Sequence, residues 1–338
     1  MLKTVYLKYQ MLDGTTQKIL KQVGSGRVIR LFNRTPYPKL MNDVVCPHFH
    51  QAACTYGCPF NCSWCYLKGT FRFFQRGNGR IPVHTKKLKD ILGAFRTFLA
   101  LDGKQVPDTL LNTGELADSL CTEGKAFHGT AFSKFIMGHF SGTRHKVLFL
   151  SKGTQVKNFL ENEWQKNAIL SWTINAYPVA KRWEKLAPHP RDRIAAAQKV
   201  SEAGYEVRVR IDPMVAVEDY AVHYQNLVDD LFEAFTPSRI TLGCLRGLTS
   251  TMARAVDKSW IPYLTERSSW GRKPPIETRY GLYANILKKL QEAGVYGTEM
   301  RTKLRDHVGI CKDTLEVWAM LKKEFGMDWQ KLKCNCNW

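Results

Sequence analysis

The run Cys58-Pro-Phe-Asn-Cys62-Ser-Trp-Cys65-Tyr66 constrains this chain more than any other stretch. Three cysteines at C-x3-C-x2-C spacing fall within eight residues and are followed by an aromatic. Iron–sulfur clusters are normally held by four cysteine thiolates. A loop that offers only three therefore suits a [4Fe–4S] cluster whose fourth iron is open to another ligand. The competing reading is a structural zinc knot, because C-x2-C elements commonly hold zinc. Cys54 also stands an x3 gap before Cys58, but only the frame beginning at Cys58 gives x3 followed by x2.

The loop resembles the radical S-adenosylmethionine (SAM) signature. In that superfamily the open iron is chelated by the amino and carboxylate groups of SAM, and an electron from the cluster releases a 5'-deoxyadenosyl radical. The resemblance implies that Trp64 packs near the SAM adenine, and Tyr66 beside it is a further candidate cofactor contact.

A chain of 338 residues with 44% hydrophobic content can bury a large core, as one sizeable domain with additions or two modest ones. Its 50 Lys+Arg against 30 Asp+Glu leave a formal charge of +20. That excess favours a polyanionic partner, nucleic acid above all. The first residues show no apolar h-region, so no signal peptide is expected. No run approaches the roughly 18 apolar residues that a membrane span needs. Ten cysteines, several of them clustered, then read as metal ligands in a reducing, cytoplasmic setting rather than as disulfides.

Residues 1–40 read as an irregular, partly β extension, bounded by turn signals at 23–26 and 34–38. His48 and His50, two apart on an extended segment, point the same way; packing, substrate contact and metal ligation are the readings. The stretch 71–80 interleaves aromatic and basic residues, and Arg72 and Arg76 there suit stacking on bases and gripping phosphates. A half-buried hairpin with its arginines in water is the alternative. Beyond this, strands expected near 44–52 and at 106–112, 146–150, 169–175, 205–211 and 239–242 alternate with helices at 86–101, 128–140, 155–160, 191–203 and 221–235. The count is six β/α repeats, an α/β fold. It matches the partial (β/α)6 TIM-like barrel of radical SAM proteins, with the barrel at 41–247 between N- and C-terminal extensions at 1–40 and 248–338. Active groups in such barrels sit at the C-terminal ends of the strands.

Those ends carry Asn112-Thr113-Gly114-Glu115, Ser151-Lys152, Ser171-Trp172-Thr173-Ile174-Asn175 and Arg208-Val209-Arg210-Ile211-Asp212. Gly114 and Glu115 resemble the radical SAM element that receives the SAM ammonium group; the alternative is that Glu115 and Asp118 cap the next helix. Arg210 with Asp212 is a candidate for SAM or substrate phosphate, or a plain ion pair. Together with the cysteine loop, the runs 147–152, 172–175 and 193–205 resemble the spore photoproduct lyase family in order and spacing over roughly 44–245. The resemblance implies that Lys152 and Thr173 meet the SAM carboxylate and that the substrate is a thymine-derived lesion in DNA. It departs at one point: that family carries a hydrogen-donating cysteine in the segment matching 112–118, where this chain has none. Cys121 and Cys244 are the candidate catalytic thiols in its place.

Beyond residue 247, helices are expected at 280–293 and 313–325, followed by Lys333-Cys334-Asn-Cys336-Asn-Trp338. Cys244, Cys311, Cys334 and Cys336 are candidates for an auxiliary Fe–S cluster, with zinc or metal-free burial as alternatives. The resulting expectation is a radical SAM enzyme that abstracts hydrogen from a nucleic-acid base, DNA favoured, and is reduced by a donor such as flavodoxin or ferredoxin. The alternatives are radical modification of a peptide or small metabolite, and a zinc-stabilised nucleic-acid-binding protein without catalysis.

Overall fold

The computed structural model describes all residues except 33–42, 125 and 295–299. Its centre is a ten-stranded sheet in which spatial order follows chain order. The strands are β1 Thr4–Gln10, β2 Thr16–Val23, β3 Ile29–Phe32, β4 Phe49–Ala52, β5 Leu110–Asn112, β6 Lys146–Ser151, β7 Ala168–Ile174, β8 Glu206–Met214, β9 Arg239–Cys244 and β10 Val308–Ile310. Pairing is antiparallel from β1 to β4 and parallel from β4 through β10. The sheet is open, with β1 and β10 at its edges.

The six expected parallel strands are all present, and β10 adds a seventh. The N-terminal extension is more regular than expected, since β1–β3 prolong the same sheet; the turn expected at 34–38 lies outside the described residues. Strand β7 is buried along its whole length, as parallel strands covered by helices are. Helices Leu88–Leu99, Phe132–Phe140, Pro190–Glu202, Tyr220–Ala234 and Ile276–Glu292 supply that cover, the first turning Ile91, Phe95 and Phe98 inward at helical spacing. Two boundaries moved for local reasons. The expected helix at 128–140 starts at Phe132, because His128 and Gly129 take positive φ in the preceding turn. The expected strand at 106–112 shrinks to β5, since Pro107 has no amide hydrogen to give to a ladder.

Side chains alternate across a strand, and the alternation sorts the sheet into two faces. Ser171, Thr173, Arg208, Arg210, Asp212 and Thr241 share one face of β7–β9. The segment 333–338 packs against that face. Asn335, fully buried, donates to Ser171 Oγ and the Val209 carbonyl at 2.9 Å each and accepts from Thr241 Oγ1 at 2.8 Å. Arg208 donates to the carbonyls of Asn335 and Asn337. Ser171, Thr241, Arg208 and Asn335 on this face are thus satisfied by protein, as burial requires.

Candidate active site

The cysteine loop leaves a short hairpin, Thr55–Cys58 paired with Ile81–Thr85, and enters the helix Leu67–Thr70. Its backbone is pinned on two sides: Gly57 N donates to the Leu116 carbonyl at 2.9 Å, and Ser63 N to the Trp183 carbonyl at 2.8 Å. Asn61 takes a left-handed φ of 54°, and Lys68 donates to its side chain at 2.9 Å. Gly57 sits at φ 88°, where a Cβ would run into the Pro82 carbonyl. Gly57→Ala is therefore expected to lower stability by about 1–3 kcal/mol through overpacking and backbone strain. Urea denaturation reads this directly, and an unchanged midpoint would show that the hairpin does not approach so closely.

The loop opens on a cavity of about 450 Å³ at the C-terminal ends of the parallel strands, and Cys58, Cys62 and Cys65 all line it. Burial pushes the Cys62 thiol up to about 12, and Cys58 and Cys65 upward as well. Thiolates in such surroundings form when a metal replaces the proton. Among the described residues, no three His, Cys, Asp or Glu side chains are gathered so as to hold a single metal ion between them. The three thiols instead face a shared space. That suits a cluster in which each cysteine takes a different iron better than a zinc knot, whose sulfurs must meet at one point.

The far side of the cavity is built from strand ends. Gly114 N donates to Asn112 Oδ1 at 2.8 Å, and a Cβ on Gly114 would lie 2.6 Å from both Leu150 Cβ and the Leu150 carbonyl oxygen. Only glycine permits that approach, which sets Glu115 at the cavity wall with its carbonyl accepting from the Tyr66 hydroxyl. Asp118 caps no helix. It accepts from Ser151 Oγ and Lys152 N at 2.7 Å each and from Leu120 N at 3.0 Å, tying this turn to the end of β6.

Lys152 lines the cavity and pairs with Glu184 at 3.7 Å; Glu184 pairs with the buried Arg193 at 2.6 Å, and Arg193 donates to the Thr173 carbonyl at 3.0 Å. Burial works against the Lys152 charge, but Glu184 outweighs it and holds the ammonium protonated. Asp212 shows the same balance with the sign reversed: burial pulls it up, yet Arg246 and Arg210 hold its carboxyl down at about 2.

Trp64, Tyr66, Gly114, Glu115, Lys152, Thr173 and Arg210 all reach this cavity, as do Cys311, Cys334 and Cys336. Other expected residues do not line it. Asn175 donates to the Pro213 carbonyl and accepts from Tyr224, which makes it a brace between strand ends. Cys244 faces the opposite side of β9 by strand alternation, beneath Tyr283 and the Arg279 carbonyl. Cys121 lies in the turn after Asp118, outside the cavity lining. Arg72 and Arg76 are exposed beyond the loop, Arg72 against the Phe73 ring at 4.6 Å. His48 packs on Tyr9, and His50 bonds the Leu20 carbonyl. Arg246 and Lys312 are cavity residues that carried no sequence signal, and Cys46 stood out only as a neighbour of His48 and His50. Each comes from a loop whose place depends on strands far away in sequence.

Parallel strands whose C-terminal ends face a three-cysteine loop define a radical SAM enzyme. A sequence model described as "SPL: Spore photoproduct lyase" matches residues 49–243, more than half of the chain. The chain belongs to the spore photoproduct lyase family. Among solved structures it is similar to a spore photoproduct lyase double mutant with bound AdoMet and dinucleoside spore photoproduct, with TM-score 0.60, 17% identity, and coverage of 72% of this chain and 73% of that one. It is also similar to a spore photoproduct lyase complexed with dinucleoside spore photoproduct, with TM-score 0.59, 18% identity and the same coverage. No curated protein matches the chain. No helix among the described residues is long and apolar enough to cross a membrane.

Proposed function

We propose that this chain abstracts a hydrogen atom from a nucleic-acid base, DNA favoured, using a [4Fe–4S] cluster held by Cys58, Cys62 and Cys65 and SAM bound beside it. The carrying observation is the shared cavity, in which three thiols of one loop stand opposite Gly114-Glu115, Lys152 and Thr173 on the strand ends. When bound, the cluster and SAM together supply a 5'-deoxyadenosyl radical.

The chain's own residues do the rest. Lys152, kept charged by Glu184, and Thr173 would hold the SAM carboxylate. Glu115 would face the ammonium, and Trp64, packed on Trp183 at 5.5 Å, would flank the adenine. Apolar lining from Val45, Phe60, Leu150 and Leu245 excludes water from a site where a carbon radical must be quenched only by its intended partner. The +20 charge and the exposed Arg72, Phe73 and Arg76 support a phosphate-bearing, stackable substrate. A one-electron donor such as flavodoxin or ferredoxin completes the reaction.

The test uses the anaerobically reconstituted enzyme with SAM, a reductant and base-deuterated DNA. Deuterium should appear in 5'-deoxyadenosine or return to SAM, and DNA affinity should fall steeply with salt as counterions are released. SAM cleavage with no deuterium transfer from DNA and no salt-sensitive DNA binding would instead favour a peptide or small metabolite.

A further inference from the structure

We propose a second metal site, formed by Cys46, Cys311, Cys334 and Cys336, that takes a [4Fe–4S] cluster with all four irons ligated by protein. It goes beyond the proposed reaction and is independent of it. Three remote parts of the chain converge here. Cys311 follows β10, where its amide donates to the Leu242 carbonyl at 2.7 Å. Cys46 is brought alongside by the Val45 amide, which donates to the Asp313 carbonyl at 2.9 Å. Cys334 and Cys336 flank the buried Asn335, so the anchoring of that one residue fixes both thiols.

All four thiols line the cavity, and none is in a disulfide. Cys334 and Cys336 lie within electrostatic reach of each other, as Cys46 does of Cys311 and Cys336. Arg210 spans the group, donating to Cys311 Sγ and to Cys336 Sγ at 3.3 Å each.

That arginine argues against cysteines buried merely as small apolar side chains. A neutral thiol is a weak acceptor, a poor partner for two donors of a buried guanidinium. Metal-bound thiolate sulfur, carrying negative charge, is a strong one. The charges of the cavity agree: Arg30, Lys152, Arg210, Arg246 and Lys312 line it against Glu115, Asp118 and Asp212, five cations to three carboxylates. An anionic four-thiolate cluster balances that excess. Zinc would need the four sulfurs within about 2.3 Å of one point, and among the described residues no such single-ion group is formed. Assembly replaces four thiol protons by four Fe–S bonds, and the closed irons leave no position for SAM.

The experiment is iron and acid-labile sulfide analysis with Mössbauer spectra on the anaerobically reconstituted full chain. Wild type should carry about eight irons, and the variant Cys58→Ala/Cys62→Ala/Cys65→Ala about four. Those four can come only from the second set, so the result stands even if Cys311→Ser/Cys336→Ser fails to fold. In the loop variant, Arg210→Gln should lower the reduction potential of the remaining cluster, because donors to the sulfurs favour the reduced state. About four irons in wild type and none in a folded loop variant would overturn the second site while leaving the proposed function intact. Zinc without iron in wild type would overturn both.

Discussion

Replacing Cys58, Cys62 and Cys65 together by alanine is expected to take reductive SAM cleavage down to the enzyme-free blank while leaving the fold in place. On the proposed function each thiol removed would be an iron ligand for which the loop holds no substitute, so the effect is complete rather than graded. The fold should survive because the loop is held by its backbone, through Gly57, Ser63 and the Lys68–Asn61 contact, and not by its sulfurs. 5'-Deoxyadenosine formation reads the chemistry and circular dichroism reads the fold. Cleavage persisting near the wild-type rate would remove the loop from the site.

The largest stability effect is expected at Arg193. Its side chain is fully buried, as is that of Glu184, and the two stand 2.6 Å apart. Arg193→Met strands a buried carboxylate with only Lys152, 3.7 Å away, to answer it. Breaking one side of such a pair costs roughly 3–5 kcal/mol. The penalty belongs to the orphaned charge, so adding Glu184→Gln should restore much of the loss. Urea titrations of the single and double variants decide it; a double variant as unstable as the single one would place the cost in lost packing instead. The same pair links Lys152 to Thr173 through the Arg193 bond to the Thr173 carbonyl, so damage here reaches the cavity from behind.

The repeating part of the fold was legible because its signal is local. Strand β6 is a nearly continuous apolar run and β7–β9 alternate apolar with polar residues, between helices of clear periodicity, and their ends follow from counting. Strands β1–β3 were hidden since they are only partly buried, with Thr4–Gln10 half in water along much of its length. Strand β10 has three residues, too few for any period to show. In the site, the loop and strand-end residues were readable from spacing and position. Cys46 was not, as it stands alone in sequence and gains its neighbours only when residues 308–314 arrive beside it. Cys244 misled for a simple reason. It closes its strand as expected, but one-residue alternation puts Thr241 and Gly243 toward the cavity side and turns Cys244 to the helices.

The buried asparagine of the final segment also sets an order of events in time. Asn335 reaches Ser171 across 164 positions and Thr241 across 94, and its third partner is on β8 between them. Closing loops of that length is entropically costly and slow compared with forming neighbouring β/α units. Its three partners are brought together only once β7, β8 and β9 have assembled. Docking of 333–338 therefore follows the assembly of those three strands, and until then the polar face of Ser171, Arg208 and Thr241 is uncovered. Cys334 and Cys336 enter the cavity only at that moment, so the chain withholds half of one cysteine set until the rest of its scaffold is built.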